Sequence, residues 1–317
     1  MFIDAAAPLF RRKWSDWCDV GVAAVLATVV VEEDTAGAMA NLGGWLRFLR
    51  EHDDRLVLAE HATDIPLAAS TGKTAVVLHF QSSRPLGHEP SLVEVFHRIG
   101  VRVMQIAYNV RGPLGDGCLE PTDSGLSPLG ATVIQEMNRV GMVIDLSHSG
   151  PRTGLQAIEA SSRPVICSHS NARAVCDHPR NLSDELIRAV AASGGVVGVN
   201  AYPAFVSSGD LQPRLDDLLE HLEHIAGLVG VEHAGLGLDF FEATTDEYER
   251  MIALGLWQRD QYPPPPYRYP LGIAGPKDIP AIASGLLGRG FRTEDVALVM
   301  GGNFLRVFEA VWPDATG

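Results

Sequence analysis

The sequence predicts an α/β protein built as a single closed (β/α)8 barrel, the TIM-barrel architecture. Three observations point there. Short apolar, β-branched runs recur eight times along the 317 residues. Helix-period segments lie between most of them. The runs are continuously apolar, as parallel strands covered on both faces are. Eight such units in a chain of more than about 250 residues fit a closed barrel. An open doubly wound sheet is the rival, but no G-x-G-x-x-G follows the first strand and no P-loop occurs.

In chain order, strands are expected at residues 2–5, 22–31, 74–80, 101–108, 142–147, 164–168, 195–200 and 233–239. Helices are expected at 35–51, 91–100, 129–141, 154–160, 183–192 and 211–229. Ser183, followed by Asp184 and Glu185, is a good helix start, and Gly141, Gly194 and Gly230 are natural stops. One segment breaks the rhythm, 258–275, with four consecutive prolines from Pro263. Proline forbids regular structure there, so a long loop is expected on the active face, as a lid or pocket wall. Residues 293–312 read as two short helices around Gly301-Gly302, and a single domain is expected over 1–317.

Composition bounds the function. At 46% apolar and 20% charged residues the chain can bury a full core, and its formal charge of −14 argues against a nucleic-acid partner. No run of about 18 uncharged apolar residues occurs, so no membrane span is expected. The basic cluster Arg11-Arg12-Lys13 follows a short apolar run, the reverse of a signal peptide. Cys18, Cys118, Cys167 and Cys176 have no C-x-x-C spacing and read as free thiols, which suggests a cytoplasmic protein.

In such barrels chemistry gathers at the C-terminal ends of strands. Those positions carry Asp4/Ala6, Gln81, Tyr108/Asn109, His148, His169, Asn200 and Asp239. His148 and His169 close consecutive strands, which converges two imidazoles, the commonest protein ligands for transition metals. Asp239 ends a buried strand, where a carboxylate needs a metal, a cation or a proton-transfer role to offset desolvation. Arg180 lies eleven residues past His169 and could hold a substrate carboxylate bidentately, although spacing serves a solvated surface arginine nearly as well.

Five stretches carry a family resemblance: residues 137–148, ending Asp145-Leu-Ser-His148; 168–183, from Ser168-His169 through Arg180; 194–200; Gly235-Leu-Gly-Leu-Asp239; and Gly301-Gly-Asn-Phe-Leu-Arg306. Through them the chain resembles the membrane (renal) dipeptidases, metal-dependent hydrolases with an amidohydrolase-like barrel. The resemblance implies zinc, hydrolysis of dipeptides or small amino-acid conjugates, and a homodimer. By position, His148 and His169 match two histidine ligands of one zinc. Asp239 matches the aspartate that moves the proton, and Arg180 the arginine that binds the substrate carboxylate. Tyr108 and Asn200 fall among the substrate contacts.

The departures are specific. The family's first-strand His-x-Asp is replaced by Ala6 and Pro8, in Ile3-Asp-Ala-Ala-Ala-Pro-Leu9, and the bridging glutamate by Gln81, a weak amide ligand. Asp4, Asp16, Cys18, Asp19, Cys118 and Glu120 could replace the lost ligands, but spacing recommends none of them. One zinc per chain, or none, is therefore expected. Three functions follow: a single-metal dipeptidase, a metal-free enzyme using the same residues for acid–base chemistry, or an inactive binding barrel.

Overall fold

The computed structural model describes residues 1–208 and 212–312. Its strands are β1 (Phe2–Asp4), β2 (Val22–Val30), β3 (Leu56–Leu58), β4 (Thr74–Phe80), β5 (Val101–Gln105), β6 (Val143–Asp145), β7 (Ile166–Cys167), β8 (Val196–Val199) and β9 (Ala234–Leu236). Eight of them, each within a predicted run, pair in parallel in the order β1-β2-β4-β5-β6-β7-β8-β9. The ring closes where Ala5 N–H donates to the Leu236 carbonyl and Asp239 N–H to the Ala6 carbonyl, both at 2.9 Å. This is the (β/α)8 barrel that the sequence predicts.

β3 adds a strand outside the predicted set. It pairs with the first half of β4, from Leu56 opposite Thr74 to Leu58 opposite Val76, while β5 pairs with β4 only from Leu78 onward. It thus covers the flank of β4 that β5 leaves open. Three residues are too few for a period to register.

Alternation along the strands sorts the core. One set of side chains, including Leu26, Val77, Val103, Val143, Ile166 and Val196, packs inside the barrel with Phe304 and Phe308 of the last helix, Asn303–Val311, at its base. The other set packs outward against the helices. Continuing the inward set up the strands gives Thr28, His79, Gln105, Asp145, Ser168 and Asn200. The interior is apolar below and polar above, in the layers that barrels of this type build.

Most predicted helices form within a few residues of their expected limits: Thr35–Glu51, Leu92–Ile99, Pro128–Val140, Pro151–Ala160, Asp184–Ala192 and Leu215–Val229. Ser183 caps its helix through the Leu186 N–H at 3.3 Å, and Gly141 ends another at φ 81°, where a side chain would be strained. The predicted start at Leu211 lies outside the described residues; the helix itself begins after Pro213. Helices at Phe10–Asp19, Asp64–Ser70, Thr245–Ala253 and Ile279–Gly288 go beyond the prediction. The first buries only Phe10 and Trp17, so its apolar stripe is nearly hidden in the sequence. Segment 258–275 contains no helix or strand, only an isolated bridge from Leu271 to Arg214. No helix among the described residues is long and apolar enough to cross a membrane.

Candidate active site

The two histidines meet at the top of the barrel. His148 Nε2 and His169 Nε2 stand 2.9 Å apart, and both residues are buried. The far nitrogen of each ring is engaged. Asn109 spends its amide N–H groups on the Leu256 carbonyl, at 2.9 Å, and on Tyr262 Oη, at 3.0 Å. Its Oδ1, 2.7 Å from His148 Nδ1, therefore accepts a hydrogen bond from that nitrogen, which carries the ring's proton. Ser168 Oγ donates to Asp145 Oδ2 at 2.5 Å, so it accepts from His169 Nδ1–H at 2.7 Å. Both Nε2 atoms are left as acceptors aimed at each other, a repulsive arrangement that a cation or a shared proton between them would relieve and that Arg180, 3.3 Å from His148 Nε2, relieves in part.

Asp145 anchors this arrangement. Its Oδ1 accepts from Ser147 N–H, Ser147 Oγ and Ser168 N–H, at 3.0, 2.6 and 2.9 Å. Its Oδ2 also accepts from Gln105 Nε2, and His79 Nε2 lies 3.0 Å away. Burial alone would raise its pKa, but His79 and these donors hold it well below the usual carboxylate range. The carboxylate thereby ties β4, β5, β6 and β7 together beneath the histidines. Both imidazoles are pushed well below their ordinary pKa, first by burial and then by the Arg180 cation.

Arg180 is only 1% exposed. It donates to the Ser147 carbonyl, to Ser170 Oγ at 3.4 Å, to the His169 carbonyl at 3.1 Å and to His148 Nε2 at 3.3 Å. Its Nε–H has no partner, and no carboxylate among the described residues forms an ion pair with it. Phe205 covers it, with the guanidinium carbon 5.3 Å from the ring centre. A buried cation without a counter-ion is costly, and an anion beside it would offset that cost.

Asp239 adopts φ 53° and Asn109 φ 56°, the only positive values outside glycine among the described residues. Asp and Asn tolerate this region best, and such strain clusters at functional sites. Asn200 holds Asp239 through Nδ2–Oδ2 at 3.1 Å. Burial pushes the Asp239 pKa up to about 7, against the opposing pull of Arg180 and the Asn200 hydrogen bond. Asp4 is pushed up to about 6 by burial, but it accepts from Trp17 Nε1 and the Leu238 N–H and so serves the ring closure.

A cavity of about 690 Å3 opens over these groups; His148, Asp239, Gln81, Thr28 and Tyr108 line it. Gln81 Nε2 donates to Thr28 Oγ1 at 3.0 Å. Tyr108 stacks on His148 with ring centres 4.1 Å apart and accepts from Trp257 Nε1 at 3.1 Å. His169, Arg180 and Asn200 form the layer behind that surface. The fold thus gathers all seven residues that the sequence singles out, with Tyr108, Gln81, His148 and Asp239 facing the cavity. Sequence reasoning misses Asp145 and Ser168, although the repeated Ser-His pair (Ser147-His148, Ser168-His169) carries a signal. Trp257 and Tyr262 leave no such trace.

Two converging, neutral imidazole lone pairs fit one metal ion. A two-metal centre does not fit: Ala6 and Pro8 offer no ligand atom, and Gln81 brings no charge. Among the described residues no group of three or more His, Cys, Asp or Glu could hold a metal.

The model of the membrane dipeptidases, peptidase family M19, matches residues 31–253. The chain belongs to this family. Dipeptidase tcpJ of Claviceps purpurea is 29% identical over 84% of this chain, and rat dipeptidase 3 is 30% identical over 76%. The chain spans about half the length of the curated relatives it matches, 57% and 46% for these two. A crystal structure of an amidohydrolase from Pseudomonas aeruginosa superposes with a TM-score of 0.91 at 32% identity, covering 99% of this chain and 97% of that one.

Proposed function

We propose that this membrane dipeptidase relative hydrolyses the amide bond of dipeptides or small amino-acid conjugates, using one weakly held zinc ion. The carrying observation is the pair of converging Nε2 atoms, with His148 lining the same cavity as the Asp239 carboxyl, whose pKa burial raises to about 7. His148 and His169 would hold the ion, which would supply Lewis-acid activation of water near pH 7. Asp239 takes the proton from the attacking water and returns it to the leaving amine, a task that suits a pKa close to the working pH. Asn200 fixes the orientation of that carboxyl. Tyr108 packs against the substrate beside His148. Arg180 supplies the positive charge that answers the substrate carboxylate.

A specific observation favours a second reading. Arg180 already donates to His148 Nε2, and no carboxylate ligand is present, so the same residues could run metal-free acid–base chemistry on the same substrates.

Metal content and dipeptide turnover, measured on protein purified without chelator or histidine tag, test both readings. About one zinc per chain, lost together with activity in a His148→Ala/His169→Ala variant, is the expected result. Turnover without metal selects the second reading. Absence of turnover with any dipeptide overturns the hydrolase assignment. Arg180→Met should raise KM by roughly tenfold for free dipeptides but little for their C-terminal amides, because the buried guanidinium, one layer behind the cavity surface, acts on the carboxylate through its charge.

A further inference from the structure

Above the barrel lies a third apolar cluster, formed by Leu119, Tyr202, Phe205, Tyr248, Leu256, Trp257 and Tyr262, with Tyr108, Phe241 and Met251 packed on it. Trp257 and Tyr262 stack nearly parallel, 4.9 Å apart at 3°. The cluster forms one wall of the cavity, to which Tyr108, Phe205, Phe241, Met251, Trp257 and Tyr262 all contribute. Elsewhere the lining is mixed, with Thr28, Glu32, Glu33 and Asn41 beside Val29 and Trp45.

Two polar tips of the aromatic wall are engaged within it. Trp257 Nε1 donates to Tyr108 Oη, and Tyr262 Oη accepts from Asn109 Nδ2. What the wall offers a ligand is mainly hydrocarbon and ring faces, with the Tyr108 hydroxyl beside them. It also begins at the histidines, because Tyr108 lies on His148, and Leu256 and Tyr262 hold Asn109, which holds His148. A group seated against this wall is therefore within one ring of the histidines. The volume of about 690 Å3 sits well inside the range of roughly 300–1,000 Å3 typical of pockets that enclose drug-sized ligands. Two small residues would leave much of it to water.

We propose that this site selects substrates carrying a bulky apolar or aromatic side chain, which packs against the Tyr108–Trp257–Tyr262 wall. This inference rests on the hydrolase reading for its chemistry but not for its recognition.

The test compares Ala-Ala with Phe-Ala, Ala-Phe, Leu-Ala and Ala-Leu, first by kcat/KM and then by calorimetric binding of the same dipeptides to the His148→Ala/His169→Ala variant, in which turnover does not intervene. At least one large-side-chain dipeptide should exceed Ala-Ala by about tenfold or more in both measurements, since burying a large apolar side chain favours binding by that much. Trp257→Ala should shrink the ratio. Phe241→Ala, at a half-buried position less critical to folding, should do the same. Turnover of all five at equal kcat/KM overturns the inference and leaves the hydrolase reading standing. Selective binding without turnover by the wild type supports the inference and overturns that reading. Binding that ignores side-chain size overturns the inference whatever the turnover.

Discussion

Asp239 combines a strained backbone, near-complete burial and a raised pKa, so it should cost stability. A carboxyl whose folded pKa is about 7 binds its proton more tightly than the unfolded chain does. Its contribution therefore falls as pH rises from about 4 to 7 and is flat above. Asp239→Asn tolerates the same φ and removes the charge. We expect it to abolish turnover while raising Tm by a few degrees at pH 8 and leaving it nearly unchanged at pH 4, as thermal unfolding at the two pH values would reveal. At Ser168 the argument is one of tautomer. Ser168→Ala removes the acceptor that keeps the His169 proton on Nδ1. Zinc affinity should fall by about 10- to 100-fold, read by chelator competition, and 15N shifts of the ring should report mixed tautomers. Equal affinity in wild type and variant would refute this role.

Among the elements, the loop at 258–275 contrasts with the strands it covers. It has no ladder of hydrogen bonds, and Arg268 in it is exposed. Trypsin should cut there before any barrel helix, and a bound aromatic dipeptide should slow the cut, as mass spectrometry of early fragments would record. How legible each element was follows from its physics. The eight barrel strands are apolar on both faces and announce themselves as continuous runs. His148, His169 and Asp239 were legible because position at a strand end is a sequence property. The helix Phe10–Asp19 and the three-residue β3 carry too little pattern to stand out. The aromatic wall was illegible for another reason: Tyr108 and Trp257 are 149 residues apart, and only the fold joins them. The second site layer, Asp145 and Ser168, was half-visible in the doubled Ser-His pair, but nothing local says that a carboxylate on one strand orders a hydroxyl on the next.

For the whole molecule the barrel is a stack of three layers: an apolar base sealed by Phe304 and Phe308, a polar middle organised by Asp145, and an aromatic roof. Phe304 is fully buried, and a Cβ on Gly235 would come within 2.6 Å of its ring, so the base is tightly filled. Phe304→Ala should cost about 3–5 kcal/mol in denaturant unfolding. A much smaller loss would mean that the base relaxes around the gap. The ring closure sets a timetable on the ribosome. β1 pairs at once with β2, but its other neighbour, Leu236, is made only some 230 residues later, which at about 5–20 residues per second takes roughly 10–50 s. Throughout that interval one edge of the N-terminal strand stays open to foreign strands. The Asp239 N–H then bonds to the Ala6 carbonyl as the last seam forms. A nascent chain that has stalled short of this point is thus sticky, and Asp239 arrives together with the bond that ends the danger.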